Sequence, residues 1–184
     1  MIMRKNFGAK PCLYPMPVLI LGTYGEDGTP NAMNAAWGGI IGSNEIIISL
    51  GEHKTTDNII LNKAFTVSIA DEQHLVQADY LGIVSGNEVP DKLEKAGLHT
   101  TKSTFVNAPI IDEFPIALEC KLKKVTDEGI VGEIVNVSID ERILDRNGNV
   151  NPSKLNAISY DPMNQAYLKL WGKVGNAFKD GKKI

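Results

Sequence analysis

From Pro115 to Val125 the chain alternates as a half-buried strand does. Ile116, Leu118, Cys120 and Leu122 recur at every second position, with Glu119, Lys121 and Lys123 between them. Successive side chains of a strand point to opposite faces, so this spacing predicts one apolar face and one solvated face. Asp127-Glu128-Gly129 predicts a turn. Beyond it, Ile130 to Ile139 reads as a second strand, with Val131, Val135, Val137 and Ile139 on one face. Two such strands joined by a glycine turn form an antiparallel hairpin. A chain built around it is directed toward antiparallel sheets.

The rest of the sequence agrees. Pro17 to Tyr24 is apolar and β-branched and stops at Gly25-Glu26-Asp27-Gly28-Thr29-Pro30, a hairpin turn signal. Asn31 to Trp37 is the return strand. Glu45 to Leu50 and Phe65 to Ala70 are further strands. Thr56 to Asn62 predicts a short helix with Thr55 or Thr56 as N-cap, and Asp71 is expected to cap a second helix running from Gln73 to Leu81. Six to eight meander-linked strands with two or three short helices predict a mainly β fold: an antiparallel barrel with helical decoration rather than a doubly wound βαβ sheet.

Composition narrows the class. The 184 residues carry 19 Lys and Arg against 22 Asp and Glu, a net charge of −3. A single domain spanning 1–184 is expected. No basic excess points to nucleic acid, and no apolar run reaches the length that spans a bilayer. No apolar segment stands between the first basic residues and Pro11, so a signal peptide is not expected and a cytoplasmic location is. Cys12 and Cys120 are far apart in sequence, which fits free thiols in a reducing compartment, with Cys120 read as a core residue.

Common chemical motifs are absent. There is no GxGxxG between strand and helix, no GxxxxGK[ST] and no GxSxG. His53, His74 and His99 form no HExxH or Cys/His cluster, so no metal site is expected. No catalytic side chain stands out, and any redox chemistry must come from a bound cofactor.

Two stretches could hold a phosphorylated, planar ligand. In Glu52-His53-Lys54-Thr55-Thr56-Asp57-Asn58-Ile59, a lysine charge, two hydroxyls and a helix start suit a phosphate. A capped helix with a solvated lysine explains the same residues more economically. In Asn31-Ala32-Met33-Asn34-Ala35-Ala36-Trp37-Gly38-Gly39, small residues permit close backbone approach, two amides offer hydrogen bonds and Trp37 offers an aromatic face. An ordinary strand with a core tryptophan would look the same.

These segments also carry a resemblance. Pro17-Val18, Asp27 to Asn31, Ala36-Trp37-Gly38, Thr55 to Ile59 and Phe65-Thr66-Val67 resemble the flavin reductase-like family, most of all its flavoredoxin branch. So do Asp79 to Gly86, Asp91-Lys92-Leu93, Pro115 to Cys120, Gly132 to Val135 and Gly172 to Gly175. The resemblance implies an FMN-binding split β-barrel, Greek-key-like and mostly antiparallel, working as a homodimer with FMN near the interface. It places Asn31 and Trp37 along the flavin, with the backbone of Met33, Asn34 and Ala35 at the ring. Ser49, Leu50 and Gly51 would close the strand end beside it. His53, Lys54, Thr55 and Thr56 would hold the phosphate and ribityl chain, and Ser85, Gly86 and Lys92 form a second contacting stretch. Resemblance and residue chemistry converge on the same phosphate site, which decides between the two readings of Lys54 to Thr56.

Relatives often carry a histidine where this chain has Asn136 or Ser138, neither of which titrates near neutrality. Tyr160 is either a pocket aromatic or core. The implied activity is oxidoreduction through FMN, with NAD(P)H or a redox protein as donor. The alternatives are a flavoredoxin-type electron carrier without NAD(P)H reductase activity, or a flavin-binding module without turnover.

Overall fold

The computed structural model describes residues 2–170 and 172–184. Its strands and helices follow in the order β1 (Met16–Pro17), β2 (Leu19–Tyr24), β3 (Pro30–Ala35), β4 (Gly38–Ile40), β5 (Glu45–Ile48), α1 (Lys54–Asn62) and β6 (Ala64–Ile69). They continue with α2 (Leu75–Ile83), α3 (Lys92–Lys95), β7 (Thr100–Lys102), β8 (Pro109–Ile111), β9 (Ile116–Thr126) and β10 (Gly129–Ile139). The last are α4 (Pro152–Leu155), β11 (Ile158–Asp161) and β12 (Ala166–Lys169). No helix among the described residues is long and apolar enough to cross a membrane.

Seven strands form one antiparallel sheet in the order β3-β2-β6-β9-β10-β5-β4. Its two edge strands, β3 and β4, are joined by Ala36 and Trp37 alone. A two-residue link between opposite edges forces the sheet to curl, and the result is the expected split barrel. The DG hairpin forms as read, with Tyr24 opposite Pro30. A second sheet, β1-β11-β12, and a β7-β8 ribbon complete the fold.

β2 shows why its sequence is nearly all apolar. Leu19 and Leu21 join the barrel interior with Ile46, Ile48, Ile59, Phe65, Val67 and Cys120. Val18 and Ile20 face the other way, into a second core with Ala78 and Leu81 of α2, Leu93 of α3, Ile111 and Ile158. A strand covered on both faces has no polar side to display. Cys120 is buried as expected, and burial pushes its thiol up to about 12.

The β9–β10 hairpin forms, but its faces differ from the expectation in two ways. Glu119 is 1% exposed rather than solvated. Its carboxylate accepts hydrogen bonds from Ser103, Ser138 and Asn136, the last at 2.6 Å. Ser103 also accepts from the backbone N–H of Phe105 and Val106, so the 103–108 loop folds over this face. Secondly, ladder irregularities at Val131/Gly132 and Ile134/Asn136 break the alternation along β10. Ile130 and Ile134 pack into the barrel, and Val131 is also buried. Val135, Val137 and Ile139 remain exposed by 36, 43 and 37%. The turn itself uses Gly129 at φ 145°, where an added Cβ would lie 2.3 Å from the Ile48 carbonyl oxygen.

Both predicted helices shift. The first begins at Lys54, two residues early, with His53 as N-cap and no side-chain cap bond. Thr55 and Thr56 therefore lie inside it. The second runs Leu75–Ile83, and Asp71 instead accepts from the His74 N–H at 2.8 Å, in the turn before it.

Candidate functional site

The free edge of β3, the start of α1, the end of α2 and Lys92 of α3 surround a cavity of about 190 Å³. Its charged side chains are the two lysines, Lys54 and Lys92, with His53 beside them. Lys54 Nζ donates to the Gly86 carbonyl at 3.3 Å. Lys92 Nζ donates to the Val84 carbonyl at 2.9 Å and lies 3.5 Å from the Leu81 carbonyl. Asn31 Nδ2 donates to Thr55 Oγ1 at 2.9 Å, which leaves the Thr55 hydroxyl hydrogen free to donate. The first turn of α1 has no side-chain cap, so its N–H groups add positive dipole at the same place. No carboxylate lines the cavity, and neither lysine forms an ion pair among the described residues. Burial, with the Lys54 charge adding to it, pushes the Lys92 amine down to about 8.

Close packing fixes the wall. A Cβ on Gly86 would lie 2.2 Å from Asn31 Oδ1 and 3.3 Å from Lys54 Cδ. The chain therefore needs glycine where the segment after α2 crosses β3.

A second cavity of about 330 Å³ adjoins the first and shares Gly82 and Ile83 with it. It is lined by Asn34, Ala35, Ala36 and Trp37 on one side and by Tyr160, Gln165 and Tyr167 on another. The Trp37 and Tyr160 rings lie 6.1 Å apart at 52°, and Tyr160 and Tyr167 6.1 Å apart at 57°. The Tyr167 hydroxyl donates to Asp79 at 2.8 Å. Burial and then the Asp79 carboxylate push that phenol up to about 12, so it stays neutral. Asn34 Nδ2 donates to the Ala78 carbonyl at 3.0 Å and ties β3 to α2.

Of the residues nominated from sequence, Asn31, Met33, His53, Lys54, Thr55, Ser85, Gly86 and Lys92 line the first cavity. Asn34, Ala35 and Trp37 line the second. Four do not line either. The Thr56 hydroxyl, inside α1, turns back to the Gly51 carbonyl at 2.7 Å and ties the helix to the loop before it. Leu50 packs against the barrel core. Ser49 lines a separate hollow with Leu13 and Trp37, and its N–H donates to the Trp37 carbonyl at 2.8 Å. Leu81, Gly82, Ile83 and Val84 were not nominated, although their run lay between segments that were; they contribute backbone rather than reactive side chains. Asp79 and Tyr167 had no local motif to mark them. Asn136 and Ser138 line neither cavity and are engaged with Glu119.

Residues 12–155 match the family described as the flavin reductase like domain. The flavoredoxin of Desulfovibrio vulgaris (Miyazaki F) is 36% identical, with a TM-score of 0.94 over 97% of this chain and 100% of that one. A flavoredoxin from Methanosarcina acetivorans is 25% identical, with a TM-score of 0.85 over 100% of this chain and 98% of that one. An uncharacterised protein of Aquifex aeolicus is 28% identical over 178 residues, 86% of each chain. The matched span holds every element that lines the first cavity, and the chain belongs to the flavin reductase-like family.

Proposed function

We propose that the protein is an FMN-binding oxidoreductase, with the phosphate in the lysine-lined cavity and the ring in the aromatic one. One observation carries this reading. Two lysines and an uncapped helix start converge with no counter-charge, and the cavity they line runs into a second one walled by Trp37 and Tyr160. A phosphate monoester supplies the missing negative charge, and a planar ring suits the aromatic wall.

Bound FMN would supply the redox chemistry, taking electrons from a donor and passing them to an acceptor. The chain's own groups bind and orient. Lys54, Lys92 and the Thr55 hydroxyl hold the phosphate, and Asn31 sets the direction of that hydroxyl. Trp37 and Tyr160 cover the ring, while the neutral Tyr167 phenol, anchored on Asp79, keeps the wall in place. NAD(P)H is the proposed donor. With no dinucleotide-binding motif in the chain, its nicotinamide would have to stack directly on the ring.

The second reading is a flavoredoxin-type electron carrier fed by a redox protein. It is favoured by the two solved structures above, both named flavoredoxins. A homodimer belongs to either reading: Val137 and Ile139 continue the barrel-side row beyond Leu118 and Ile116 into an open apolar strip, which a second copy would cover.

Two measurements test the proposal. The protein should quench the fluorescence of added FMN, and a colourless protein that leaves FMN fluorescence unchanged would overturn it. Anaerobic mixing with NADH or NADPH then separates the readings. Bleaching of the flavin absorbance by either supports the reductase; no bleaching by either at saturation leaves the carrier.

A further inference from the structure

Of the charged side chains lining the first cavity, Lys92 alone is buried, at 2% exposure. Its Nζ has two acceptors, the carbonyls of Val84 and Leu81 at the end of α2. A neutral amine has two N–H groups and matches them; an ammonium has three. Among the described residues no further acceptor bonds it. The charged groups around it do not supply one. From α1 it meets the Lys54 ammonium, with His53 on the same cavity wall. On α3, Asp91 is paired with Lys95 at 2.9 Å and Glu94 is exposed. On α2, Asp79 holds Tyr167.

We propose that phosphate binding in this cavity is linked to protonation of Lys92: at mildly alkaline pH the free cavity holds the neutral amine, which takes one proton from solvent as the phosphate enters. The new third N–H donates to a phosphate oxygen, while the other two stay on the α2 carbonyls. The inference rests on the FMN reading above. Burial and the neighbouring Lys54 already bring the amine down to about 8. A dianion at Nζ reverses the Lys54 repulsion and favours the charged form.

The test is calorimetric titration of the protein with FMN at about pH 8.5, in Tris and in HEPES, whose ionisation enthalpies differ. The ligand's own phosphate has a second pKa of about 6 and takes up no proton there. The FMN binding enthalpy should differ between buffers by an amount matching uptake of more than about half a proton per site. Riboflavin, which lacks the phosphate, should show no buffer dependence. FMN affinity should fall about tenfold between roughly pH 7 and 9, and riboflavin affinity less than about twofold. Lys92→Arg, charged throughout this range, should bind FMN without buffer dependence. Equal FMN enthalpies in both buffers for the unmodified protein would overturn the inference and leave the FMN reading standing. Persistent buffer dependence in Lys92→Arg would overturn the assignment to Lys92. No FMN binding in either buffer would overturn both.

Discussion

At the scale of single residues, Glu119 and Gly86 show how much depends on one neighbour. Burial pushes the Glu119 carboxyl up, but hydrogen bonds from Ser103, Ser138 and Asn136 outweigh it and hold it below the ordinary 4.5. A folded-state value below the unfolded one gives stability that is complete above the ordinary range and is lost as pH falls through the folded value. Glu119→Gln should therefore cost about 1.5–3 kcal/mol at neutral pH. The difference from the unmodified protein, followed by urea unfolding, should shrink as pH falls below about 4. A difference independent of pH would mean that the charge is not what holds the 103–108 loop. Gly86→Ala tests the cavity wall. Its Cβ would displace Asn31, and with it the Thr55 hydroxyl. FMN affinity should fall at least about tenfold, the worth of one charge-assisted bond, and crowding of the buried Asn31 should lower stability by about 1–3 kcal/mol in urea unfolding. Unchanged FMN affinity would show that this wall does not hold the ligand.

At the scale of elements, the hairpins are legible in the sequence and the faces of one strand are not. The DG turn and the Asp127-Glu128-Gly129 turn sit between apolar strands, and local chemistry decides both. The solvated reading of Glu119 misses because its cover comes from the 103–108 loop, outside the strand whose alternation was read. The irregularities along β10 are hidden for a related reason. Gly132 is buried against the Phe65 ring, where an added Cβ would lie 2.4 Å from Cζ. Phe65 is itself fully buried, so the ring has little room to yield. Gly132→Ala should cost about 1–3 kcal/mol in urea unfolding, with the midpoint lowered and the slope unchanged. An unchanged midpoint would show that β10 relaxes freely there. The start of α1 is misread because threonine is a good N-cap by type. Here Thr55 is instead drawn inside the helix, buried and bonded to Asn31. The lining of the lysine-bearing cavity is largely legible, since lysines, hydroxyls and glycines mark it. The wall from Leu81 to Val84 is not, because it acts through carbonyls that any sequence would carry.

At the scale of the whole molecule, the link through Ala36 and Trp37 joins architecture to site. It carries the chain from one sheet edge to the other and sets Trp37 at the mouth of the aromatic cavity, half exposed. The apolar strip at Val137 and Ile139 is the proposed place for a second copy. Val137→Asp should shift the protein toward monomer in sedimentation analysis while its far-ultraviolet circular dichroism matches that of the unmodified protein. A dimer of unaltered strength would put the interface elsewhere. If Lys54 and Lys92 hold a phosphate while the aromatic cavity holds a ring, paired fluorescence titrations of Lys54→Ala with FMN and riboflavin will separate the two ligands. FMN should bind at least about tenfold more weakly, with riboflavin within about twofold of the unmodified protein, because only FMN carries the phosphate. Equal weakening of the two ligands would contradict that placement.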